Sequence, residues 1–131
     1  MIALDTNLLA RLLLKDDAAQ HARVKALLAT DQVFTAPVTV FLELVWVLEA
    51  NDCPAANVSR GLELLLGLPN FRSGQADALH QALHAYARGM DFADALHAAQ
   101  CPENERFMTF DKQLVRDASK AGLRGVALLK Y

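Results

Sequence analysis

Four acidic residues, Asp5, Glu43, Asp94 and Asp111, stand far apart in the chain, each beside an apolar stretch that a folded protein would bury. They cannot form a local motif, so they act together only if the fold gathers them. An all-oxygen donor set without His or Cys suits Mg2+ or Mn2+, which prefer carboxylates, waters and substrate phosphate. Such an ion, when bound, activates a water and neutralises charge on a leaving oxygen, the chemistry of phosphodiester hydrolysis. Glu43 is the most telling of the four. It is the only ionisable side chain from 38 to 48 (VTVFLELVWVL), and an ionised carboxylate buried alone costs on the order of several kcal/mol. The sequence therefore predicts a buried Glu43 with a positive group nearby.

Each acid also has a plainer reading. Asp5 and Asp111 precede predicted helices, where a carboxylate caps a free backbone N–H. Asp94 falls in a first helical turn, where the helix dipole favours negative charge. Capping does not preclude metal binding. Asp91, three residues before Asp94, shares its helix face and is an N-cap candidate as well as an auxiliary ligand. Thr6, Asn7 and Thr109 flank the acids and are suited to hydrogen-bond ligand carboxylates or a metal-bound water. Asp77, His80 and His84 look metal-like, but Leu79, Leu83 and Tyr86 claim the core side of that helix and leave the histidines to solvent. His97 is expected to pack or bond locally.

The elements that must position these residues follow from periodicity and breakers. Strands are expected at 2–4, 33–36, 106–109 and 126–129, with a weak fifth at 70–72. Helices are expected at 8–14, 18–30, 38–50, 54–66, 74–88, 91–100 and 111–121, the last ended by Gly122. Strands separated by helices imply βαβ crossovers, hence an α/β fold with a mainly parallel sheet of four to five strands and helices on both faces. Ligands in such sheets gather at the carboxyl ends of the strands. Asp5 and Asp111 fall there.

The chain has 131 residues, enough for the single domain, 1–131, that the pattern suggests. No apolar run approaches the length of a membrane span. The first residues (MIALDTN) carry no basic flank and meet Asp5 at once, so a secretory signal is not expected and the cytoplasm is. Cys53 and Cys101 are too few and too far apart for a disulfide framework or a zinc motif, and are read as reduced, buried thiols. A net charge of −2 argues against binding nucleic acid by bulk electrostatics. Cations held in an acidic pocket would change that balance. Phosphate-binding glycine loops, dinucleotide fingerprints and the serine-hydrolase elbow are absent.

Four segments together, MIALDTN, FLELVWVL, GMDFADALHAA and FMTFDK, resemble the PIN-domain ribonucleases and in particular the VapC toxins of bacterial toxin–antitoxin pairs. The likeness runs along essentially the whole chain. It implies a PIN-like α/β/α sandwich, with the family's acidic quartet on Asp5, Glu43, Asp94 and Asp111, and its polar supporting positions on Thr6, Asn7 and Thr109. Asp91 matches a position that is often acidic. The resemblance further implies an Mg2+- or Mn2+-dependent RNA endonuclease, a homodimer, and a small antitoxin that masks the active site. Arg11, Lys15, Lys112 and Arg116 are candidates to touch RNA phosphates, and ordinary helix solvation explains them equally well.

Two other readings compete. A phosphatase of the haloacid dehalogenase type also uses an Asp after its first strand, but wants a second Asp two residues on, where this chain has Asn7. A binding module that keeps the fold without catalysis would reduce the acids to caps and ion pairs.

Overall fold

A computed structural model describes residues 1–130, which divide into two compact units, one of residues 1–74 and one of residues 75–130. In the first unit the order is β1 (Ile2–Ala3), α1 (Thr6–Leu14), α2 (Ala18–Leu28), β2 (Phe34–Thr35), α3 (Val38–Ala50) and α4 (Ala55–Leu66). The second unit holds α5 (Ala76–Ala87), α6 (Phe92–Gln100), β3 (Phe107–Thr109), α7 (Lys112–Ala121) and β4 (Val126–Leu128).

In the first unit β1 and β2 pair in parallel, with Ile2 opposite Phe34 and Ala3 opposite Thr35, so β1, α1, α2 and β2 form one crossover. The strand expected at 70–72 is reduced to a single parallel bridge between Phe34 and Phe71. Phe34 donates its N–H to the Asn70 carbonyl and accepts from the N–H of Arg72, both at 2.8 Å. Phe34, Phe41, Leu9, Leu44 and Leu62 are fully buried, and Phe41 meets Phe71 edge-on at 6.2 Å. Each such side chain contributes about 1.5–3 kcal/mol by leaving water.

The second unit is built on alanine-rich packing of α5 against α6. Leu79, Ala82, Leu83, Ala85, Ala95 and Leu96 are wholly buried, and small residues let two helices approach closely. Tyr86 and Phe92 close one end of this contact edge to face at 5.8 Å. Farther along the chain, β3 and β4 pair in parallel through α7, with Phe107 opposite Val126 and Thr109 opposite Leu128. Gly122 ends α7 at φ +79, the left-handed cap expected of it.

Two expectations fail on the facing of side chains. Helix α3 is not largely buried: Val40, Phe41, Leu44, Val45 and Leu48 face inward, whereas Glu43 is exposed and Trp46 is 73 % exposed. A helix turns about 100° per residue, so Thr39, Glu43 and Trp46 share one outer stripe although apolar residues surround them in sequence. The two cysteines are free, as expected, but half-buried rather than buried. Cys53 lies in the loop after α3, and Cys101 caps α6 with its thiol donating to the His97 carbonyl.

Candidate functional site

In the first unit, Asp5 follows β1 and turns the chain into α1. Its extended backbone leaves the carboxylate free to reach forward, where it accepts the N–H of Leu8 at 3.0 Å. Thr6, the first residue of α1, donates its hydroxyl hydrogen to Glu43 Oε1 at 3.3 Å. The chain thereby ties Glu43 on α3 to the residue that follows Asp5. Asn7 is exposed on the same turn.

In the second unit, Asp91 caps α6 and accepts the N–H of Asp94 at 3.0 Å. Asp94 is half-buried in the first turn of that helix. Burial, the neighbouring Asp91 and, less strongly, Asp111 push its carboxyl above the usual carboxylate range, while His97 opposes them. Asp111 caps α7, accepting the N–H groups of Gln113 at 2.9 Å and Leu114 at 3.1 Å. Thr109 at the end of β3 accepts the N–H of Asp111 through its hydroxyl oxygen at 3.0 Å, which fixes the backbone that aims the acid.

The predicted residues therefore come together as two sets: Asp5, Thr6, Asn7 and Glu43 in the first unit, and Asp91, Asp94, Thr109 and Asp111 in the second. Glu43 is exposed and accepts from the neutral hydroxyl of Thr6, so burial does not force a positive partner on it. His80 and His84 are exposed, as expected of a solvated helix face, and His84 meets Arg88 at 2.9 Å. His97 packs edge-on against Phe107.

The donor chemistry fits a hard divalent ion. All the candidate ligands are carboxylates, the donor type that Mg2+ and Mn2+ prefer. Among the described residues, no three His, Cys, Asp or Glu side chains are drawn together tightly enough to form a ready-made ligand group.

Residues that sequence reasoning passed over also border Asp5. A cleft of about 480 Å³ is lined by Asp5, Asn7, Arg11, Gln20 and Arg23 together with apolar side chains of α1 and α2. The spacing of Gln20, Arg23 and Leu27 at i, i+3 and i+7 places them on one stripe of α2, a signal available in the sequence. Of the basic candidates, Arg11 is engaged by both carboxylate oxygens of Asp16 at 2.6 and 2.7 Å, and Arg116 donates to the Gln113 amide oxygen at 2.8 Å.

Among the described residues, no helix is long and apolar enough to cross a membrane. Comparison with known proteins finds no significant match among curated proteins or solved structures. Comparison with protein families matches residues 2–120 to the PIN domain, running through both units. That family has an α/β/α fold, in keeping with the parallel strand pairs and seven helices among the described residues, and its members are generally metal-dependent nucleases. With nearly the whole chain matched, this protein belongs to the PIN domain family.

Proposed function

We propose that the chain is an endoribonuclease of the VapC toxin type, hydrolysing RNA phosphodiester bonds with Mg2+ or Mn2+ held by Asp5, Glu43, Asp94 and Asp111. The observation that carries this reading is the placement of Asp94, half-buried in the first turn of α6 directly beside the carboxylate of its cap, Asp91. Burial first, then the charges of Asp91 and more weakly Asp111, raise the proton affinity of Asp94, and a bound cation would offset the same crowding of carboxylates. When bound, the ion supplies an activated water and offsets charge on the leaving oxygen. Asp5 and Asp111 present carboxylates whose direction is set by the N–H groups they cap. Thr6 orients Glu43, and Thr109 holds the turn that carries Asp111. Asp91 is a supporting residue that fixes the first turn of α6. In the same reading the protein works in the cytoplasm as a homodimer and is restrained by a small antitoxin.

The deciding experiment is cleavage of RNA by purified protein in Mg2+ or Mn2+, paired with sequencing of RNA ends after brief induction in cells. New ends that vanish with EDTA and with Asp94→Asn support the proposal. Cleavage that survives both refutes it.

One observation favours a second reading, a PIN fold that binds without catalysis: Asp5, Asp91 and Asp111 already serve as helix caps. Millimolar Mn2+ separates the two, because a ligand that binds only the native state raises its melting temperature. A rise in wild type that is lost in Glu43→Gln supports the metal site. An unchanged melting temperature in both leaves only the caps.

A further inference from the structure

The cleft between α1 and α2 has Asp5 on its lining and two guanidinium groups, Arg11 and Arg23, beside it. The two arginines are not equivalent. Arg11 is bound by Asp16, whose hydrogen bonds hold the guanidinium charged and keep the Asp16 carboxyl below its ordinary range. Its charge is already met. Arg23 is exposed and, among the described residues, has no carboxylate within ion-pair distance. Asp5 itself faces its own helix, accepting from Leu8. The cleft thus offers one uncommitted cation, with the neutral amides of Gln20 and Asn7 also on its lining.

We infer that this cleft is a phosphate subsite for the RNA backbone, with Arg23 gripping a phosphate that flanks the bond cut beside Asp5. The inference rests on the nuclease reading above and adds to it the residue that positions the substrate. A guanidinium presents a planar fork of N–H donors that matches phosphate oxygens two at a time. At about 480 Å³ the space is of the size that holds small organic ligands. Buried Val24 and half-buried Leu27 line the same cleft, and such apolar walls lower the local dielectric and strengthen an ionic contact. A discrete grip is needed because the chain as a whole, at −2, does not attract a polyanion.

The test uses the full chain carrying Asp94→Asn and a fluorescein-labelled, unstructured 20-nucleotide RNA, with binding followed by anisotropy in Mg2+ across a salt series. Arg23→Gln is expected to weaken binding five- to tenfold at low salt and to flatten the slope of log K against log salt by about 0.7, one single-strand phosphate contact. Arg23→Lys should recover most of the slope. Arg60→Gln, which removes an equally exposed arginine from α4, should leave affinity within twofold and the slope unchanged. In the otherwise native chain, Arg23→Gln should raise KM at least fivefold with kcat within twofold. Equal shifts in the Arg23 and Arg60 variants, or an unchanged slope for Arg23→Gln, overturn the subsite. Absence of any cleavage by the native chain, with the Arg23 slope change intact, overturns the nuclease reading and leaves the subsite standing.

Discussion

The hydroxyl of Thr6 and the carboxylate of Glu43, 37 residues apart, meet at 3.3 Å, so the start of α1 holds the one acid of the quartet that lies in mid-helix. A hydrogen bond to a charged group is worth about 1.5–3 kcal/mol in favourable settings, and less where water competes. Thr6→Val should therefore lower RNA cleavage by about tenfold while shifting the melting temperature little, and Thr6→Ser should restore most of the rate. Equal rates for all three would free Glu43 from this dependence.

Asp94 sets a pH dependence of stability in the metal-free protein. Its folded-state carboxyl binds a proton more tightly than an ordinary aspartate, chiefly through burial and then through Asp91. Below the unfolded value the group favours folding, and this contribution is lost as pH rises through the raised folded value. Metal-free wild type should thus lose stability from the ordinary aspartate range upward, relative to Asp94→Asn. Urea unfolding in EDTA from pH 4 to 7 measures the gap between the two, which should widen with pH in favour of the variant. A constant gap would contradict the assignment.

Asp111 has two tasks that substitution can separate. Alanine removes both the charge and the cap to Gln113 and Leu114, and should cost about 0.5–2 kcal/mol in stability along with activity. Asparagine keeps the cap oxygen and loses only the charge. Asp111→Asn should therefore melt close to wild type yet fail to cleave RNA, as circular dichroism and a cleavage assay would show side by side.

Gly125, before β4, adopts φ +83, and an added Cβ would lie 3.0 Å from the Glu105 carbonyl oxygen. Both the backbone angle and the contact oppose a side chain. Gly125→Ala should cost more than about 1 kcal/mol, read as a lowered urea midpoint. Gly74→Ala, with open space around it, should be close to neutral.

Much of this architecture is legible in the amino-acid order because local chemistry decides it. The apolar run 38–50 forms α3 over the same residues, and Asp5, Asp91 and Asp111 begin helices because a short carboxylate can reach the free N–H groups of a first turn. The facing of Glu43 differs from the expectation for a definite reason. An apolar neighbourhood in sequence says nothing about an outward stripe when exposed Trp46 lies on it too. The strand at 70–72 shrank to one bridge because pairing depends on a partner distant in the chain. The α1–α2 cleft is not legible in the sequence because a concavity belongs to two helices at once, and neither segment carries its shape.

The capping bonds divide the acids into two kinds with different evolutionary fates. Asp5, Asp91 and Asp111 each secure a helix start, so a descendant that had lost all catalysis would still be held to those residues by the need to fold. Asp94 and Glu43 cap nothing. Drift should erase those two first, which makes them the positions at which a living nuclease can be told from a retired one.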